Sequence, residues 1–122
     1  MPGALEGRRN HQVNDPNDPG HTIADIDRIE DDTLWEEKTA TDAINRRSGA
    51  DETPRWIARH IAGKFSEYLE ARQHLPGYER AAIGFDFTRS GADPAFKAAV
   101  EAEITRLRAA HPDVTIRTRW RD

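Results

Sequence analysis

The stretch that decides the fold is Ile23-Ala24-Asp25-Ile26-Asp27-Arg28-Ile29-Glu30-Asp31-Asp32-Thr33-Leu34-Trp35-Glu36-Glu37-Lys38-Thr39-Ala40-Thr41. It reads as two short strands joined by an acidic turn at Glu30 to Thr33. If Glu30 lies opposite Thr33, a two-residue loop closes the hairpin. Ile29 then faces Leu34, Asp27 faces Glu36 and Asp25 faces Lys38. Opposed residues of an antiparallel pair share a sheet face, and each strand alternates faces. This register predicts Asp25, Asp27, Glu36 and Lys38 on one side, beside an apolar Ile29–Leu34 pair. Carboxylates on adjacent strands suit a hard divalent cation. A lysine beside them orients water or steadies a developing oxyanion. Glu37 falls on the opposite face, so only its backbone carbonyl reaches toward such an ion. The bland alternative is a solvated hairpin, because strand surfaces carry Glu–Lys pairs routinely.

Outward from the hairpin, the 122 residues make one domain, with apolar residues at 36%, enough for one modest core. Cysteine is absent, which excludes disulfides and thiolate metal sites. There is no apolar run long enough to cross a membrane and no apolar signal-peptide core. The net charge of −4 is unevenly spread. Residues 1–53 carry 6 basic and 13 acidic groups; residues 54–122 carry 12 basic and 9 acidic. An acidic pocket within a basic surround fits that asymmetry, as does a merely solvated surface. Only Lys38, Lys64 and Lys97 are lysines, so a lysine two places after Glu36 stands out in an arginine-rich chain.

The N-terminal segment, residues 1–21, is loop-rich. Asn14 to Gly20 reads as a turn-rich loop, and Ala4 to His11 as a short helix carrying Glu6. After the hairpin comes a loop from Asp42 to Glu52. Thr53-Pro54 starts a helix with a capping hydroxyl and a first-turn proline. Its apolar stripe is Ile57, Ile61, Phe65 and Leu69, widened by Ala58, Ala62 and Tyr68, and the helix runs to about Gln73. Trp56, His60 and Lys64 form a ridge beside that stripe, where Lys64 is a candidate phosphate contact. Arg80 to Thr88 reads as a strand, Asp93-Pro94 starts a second helix, and Val114 to Trp120 alternates as a last strand. Arg117 and Arg119 on that strand would grip a nucleic-acid backbone or protect a sheet edge. The predicted order is β-β-α-β-α-β, an α/β fold with a small mixed sheet whose last three strands are parallel. His11 and His21 match no compact metal-ligand spacing.

Asp27 followed by Glu36-Glu37-Lys38 resembles the signature of the PD-(D/E)XK nuclease superfamily, which has the restriction-endonuclease-like fold. That signature is an acid on one strand and (D/E)-x-K on the next. The naming proline is absent; Ala24 to Ile26 precede Asp27 instead. The superfamily's core is written α-β-β-β-α-β, with one strand more before the acid-bearing one than the sequence displays. Either the N-terminal segment supplies that strand or the sheet is trimmed. The resemblance implies metal-dependent phosphodiester hydrolysis. Asp27, Glu36 and the Glu37 carbonyl would hold Mg²⁺, with Mn²⁺ or Zn²⁺ as alternatives, and Lys38 would act at the scissile phosphate. Asp25 and Glu6 would be accessory acids. DNA is favoured over RNA because most members cut DNA.

Size and layout also resemble the C-terminal toxin domains of bacterial polymorphic toxins. That resemblance implies a cognate immunity protein, delivery within a larger secreted protein and action in the cytoplasm of a target cell. The alternatives are a non-catalytic α/β interaction domain of immunity or adaptor type, an RNA-cleaving nuclease of the same fold, or an inactive relative.

Overall fold

The computed structural model describes residues 5–39, 52–89 and 94–120. The expected loop from Asp42 to Glu52 and the cap at Asp93 lie almost wholly outside these residues. Five strands form one sheet in the order β1-β2-β3-β4-β5. They are β1 (Arg9–Asp15), β2 (Asp18–Glu30), β3 (Thr33–Thr39), β4 (Ala82–Arg89) and β5 (Ile116–Trp120). The first three pair antiparallel. β3, β4 and β5 are parallel, as the two helical crossovers require.

The hairpin is closed by Asp31 and Asp32, both at positive φ (55° and 53°). Such a turn usually takes Asn-Gly; here neighbours hold the strained pair. The Asp31 amide donates to the Glu6 carboxylate, and Thr33 Oγ1 donates to the Asp31 carbonyl. The Asp32 carbonyl accepts from the Ala82 amide. Register is as read from the sequence for Ile29–Leu34 and Glu30–Thr33.

The N-terminal helix expected at Ala4 to His11 is instead a turn followed by strand β1. Gly7 and Asn10 take positive φ, which breaks a helical path. The Gly7 amide donates to Ile29 and the Ile29 amide to Arg8, stitching the segment to β2. The expected loop from Asn14 to Gly20 shrinks to a tight turn, in which the Asn17 amide donates to Asp15 Oδ1. Asp18 to Gly20 join a β2 of 13 residues. The sheet thus has an extra strand before the acid-bearing one.

The first helix is α1 (Glu52–Ile57), a π-helical turn at Ala58–Ala62, then α2 (Gly63–Arg72). The π turn rotates the residues after it, so that Tyr68 is fully buried while Leu69 is only half-buried. Helix α3 spans Pro94–Ala110 and buries Phe96, Val100, Ile104 and Leu107. Trp56 meets Phe96 edge-on at 5.1 Å, and Phe65 meets His111 at 4.9 Å. The helices therefore lie side by side on one sheet face. They cover Ile83, Phe85 and Phe87 of β4, all fully buried, and Phe87 stacks on Trp120 at 3.8 Å.

The other sheet face has a different chemistry. Trp35 lies against Gly84 so closely that a Cβ there would clash with its ring. Arg28 reaches Glu37 at 2.9 Å and Asp86 at 3.1 Å, and Arg9 reaches Glu37 at 2.8 Å. Asp86 is fully buried and Arg28 nearly so. Buried charges need such pairing to offset their desolvation. The Arg28 guanidinium also lies 5.2 Å from the centroid of Trp35.

Candidate active site

Asp27, Glu36 and Lys38 come together where β2 and β3 part. The β2–β3 ladder runs only from Arg28–Trp35 to Glu30–Thr33. The expected direct pairings of Asp27 with Glu36 and Asp25 with Lys38 are not part of it. The reason is the Tyr68 hydroxyl, which α2 drives into the gap. It accepts from the Asp27 amide at 3.3 Å and lies 2.9 Å from Glu36 Oε2. The Asp25 and Trp35 carbonyls are within 3.2 and 3.3 Å. A hydroxyl has one proton to donate, and the shortest of these contacts sends it to Glu36. The Asp27 side chain completes the split: its Oδ2 accepts from the Glu37 amide at 2.8 Å.

Each backbone N–H and C=O of one strand residue points to the same side of that strand. Since the Glu37 amide is turned to Asp27, its carbonyl is turned that way too. Two carboxylates and a carbonyl therefore converge on the opening between the strands. The Glu37 side chain goes to the far face, to Arg28 and Arg9, as alternation required.

Glu36 is 5% exposed. Burial pushes its carboxyl above the ordinary value, and the Asp27 charge adds to that. Lys38, whose Nζ is 3.1 Å from Glu36 Oε1, and the Tyr68 hydrogen bond pull it back. Tyr68 is itself raised, first by burial and then by the Glu36 and Asp27 charges, so its hydroxyl keeps its proton. Lys38 Nζ also lies 3.2 Å from His60 Nδ1. With Lys38 charged, Nδ1 is the acceptor and the imidazole proton is assigned to Nε2. His60 sits on the π-helical turn, with its ring 4.9 Å from Trp56.

The donor set fits a hard cation. Among the described residues no three His, Cys, Asp or Glu side chains cluster tightly enough to cage an ion. Two carboxylates and a carbonyl match Mg²⁺, which usually takes few protein ligands and retains several waters.

The remaining candidates scatter. Asp25 is exposed and lies across from Gln12 in the β1–β2 ladder. Glu6 is spent on the hairpin turn at Asp31 and lies in the turn before β1 rather than on a helix near the cluster. Lys64 follows His60 by one turn and pairs with Glu67 at 3.7 Å. Arg117 and Arg119 pair across from Gly84 and Asp86, which puts them on the sheet face opposite Glu36 and Lys38. They cannot grip a phosphate beside that cluster. His11 and His21 lie on β1 and β2 and take no part in it.

Tyr68 and His60 were not singled out as site residues by sequence reasoning. Their only signal was position: Tyr68 widened an apolar stripe, and His60 stood on the ridge with Trp56 and Lys64. Comparison with known proteins finds no matching family model, curated protein or solved structure.

Proposed function

We propose that this chain is a metal-dependent phosphodiesterase of restriction-endonuclease-like fold, acting on nucleic acid, with DNA as the first substrate to test. The observation that carries the reading is the meeting of Asp27, Glu36 and Lys38 at the parting of β2 and β3. Strand β1 adds support, because it fills the place before the acid-bearing strand that the superfamily pattern calls for. Asp27, Glu36 and the Glu37 carbonyl would hold the ion, which supplies Lewis acidity toward a phosphate when bound. Lys38 brings positive charge to the rim of the same cluster, where a phosphate oxygen gains negative charge during displacement. His60 limits the rotamers of Lys38, and Tyr68 holds Glu36 by one oxygen. The role as a toxin module with an immunity partner rests on the resemblance in size and layout alone.

The deciding experiment incubates purified protein with plasmid DNA and with total RNA, in Mg²⁺, Mn²⁺, Zn²⁺ or EDTA. Cleavage should need the metal and be lost in Asp27→Ala, Glu36→Ala and Lys38→Ala. Because one unit is being dismantled, the triple variant should be little worse than each single one. Full activity in Glu36→Ala overturns the assignment. Folded protein without metal affinity or cleavage favours an interaction domain.

A further inference from the structure

We propose that the sheet face turned away from the helices carries a second, separate site, a receptor for neighbouring phosphates of a nucleic-acid strand. Arg108, Arg117 and Arg119 line an open cavity of about 530 Å³ together with Trp35, and among the described residues Asp31 is the one carboxylate on its wall. Three guanidiniums against one carboxylate make a cationic hollow on a chain whose net charge is −4.

Arginines on this face fall into two groups. Arg9 and Arg28 are paired with Glu37, and Arg28 also with Asp86. Arg117 and Arg119 have no carboxylate within ion-pair distance among the described residues. Arg119 instead lies over Trp35, 5.0 Å from the ring centroid. The tryptophan is itself fixed against Gly84. Arg108 is anchored by donating Nε and Nη2 to the Ile116 carbonyl, at 3.3 and 2.8 Å. Two guanidiniums are thus held in place with no ion-pair partner among the described residues, which is the condition of a preorganised oxyanion receptor.

Arg117 and Arg119 are two residues apart on one strand face, about 6.6 Å along β5. That spacing addresses two neighbouring oxyanions rather than a single one, and so favours a phosphodiester chain over a lone phosphate. Trp35 is only 3% exposed, so no base stacks on it and contact is to the backbone. This site lies across the sheet from Glu36 and Lys38, and it stands whether or not the protein cleaves.

The test is fluorescence anisotropy with a short labelled single-stranded DNA, in EDTA so that no cleavage intervenes. Wild-type protein should bind, weakening as salt rises. Arg117→Ala with Arg119→Ala should lower the log–log salt slope by about 1.4, the single-strand value for two lost phosphate contacts. Arg106→Ala, which removes one positive charge on α3, should leave the slope unchanged. Arg117→Ala alone breaks no contact within the described residues, so its smaller effect is free of misfolding. The indole N–H resonance of Trp35 should move on DNA binding. A slope unchanged in the double variant, or resonance shifts confined to Trp56, overturns the proposal. Inorganic pyrophosphate serves as the small-ligand arm: if it moves Trp35 and DNA does not, the strand reading is wrong.

Discussion

Glu36 is an acid in a place that disfavours its charge. Burial outweighs the help of Lys38 and Tyr68 and leaves its folded value above the ordinary 4.5. Between those two values the folded chain binds more protons than the unfolded one, so stability falls as pH rises through that window. Glu36→Gln should remove that fall. Urea denaturation from about pH 5 to about pH 8 should show wild type losing more stability than the variant; parallel profiles would mean Glu36 pays no burial penalty. Tyr68 is the second residue on which the cluster depends. Tyr68→Phe keeps the buried ring and removes the one hydroxyl that donates to Glu36 and accepts from Asp27. It should fold, lose about 1–2 kcal/mol and bind Mg²⁺ more weakly by calorimetry. Unchanged affinity would reduce Tyr68 to a packing residue. The sequence showed Asp27, Glu36 and Lys38 because a hairpin with period-two alternation makes local residues into neighbours. It did not show Tyr68 or His60, because their partners are 32 and 22 residues away.

Among the elements, β3 has two faces with separate duties. Leu34, Glu36 and Lys38 face the helices; Trp35 and Glu37 face the arginine network. Glu37→Ala should therefore leave the cluster's side chains in place yet cost about 2 kcal/mol, since it strips buried Arg28 of a charged hydrogen-bond partner. A chemical-denaturation midpoint checks this, and a variant as stable as wild type would make the Arg28 network ornamental. On β4, Gly84 makes room for Trp35. Gly84→Ala puts a methyl where the ring now lies, and the ring has Arg28 and Arg119 against it. A loss of about 1–3 kcal/mol is expected, with a melting temperature lower by roughly 5 °C or more. The sequence presented Gly84 as an unremarkable strand residue, since its reason is a side chain on the next strand. The same holds for β1. Asn, Gly and charged residues around it have weak strand propensity, and pairing with β2 overrides that.

For the whole molecule, the proposed function links folding to ion binding through the gap between β2 and β3. A cation that binds only the folded chain stabilises it by mass action, about 2.7 kcal/mol at one hundred times the dissociation constant. Mg²⁺ should raise the melting temperature of wild type and leave Asp27→Ala and Glu36→Ala unmoved. The rise should grow with pH, because the ion needs Glu36 ionised. An equal rise in all three would place the ion elsewhere. By itself the sequence determined the α/β class, the hairpin register next to its turn, the parallel β3-β4-β5 run and the split of Glu36 from Glu37. Each follows from local periodicity, turn chemistry or the handedness of a crossover. Only the tertiary structure decided that the N-terminal segment is a strand, that a tyrosine hydroxyl parts β2 from β3, and that Arg117 and Arg119 lie across the sheet from Glu36. Those outcomes depend on which distant residues meet, and the energy of such meetings is written in packing and pairing rather than in any local pattern.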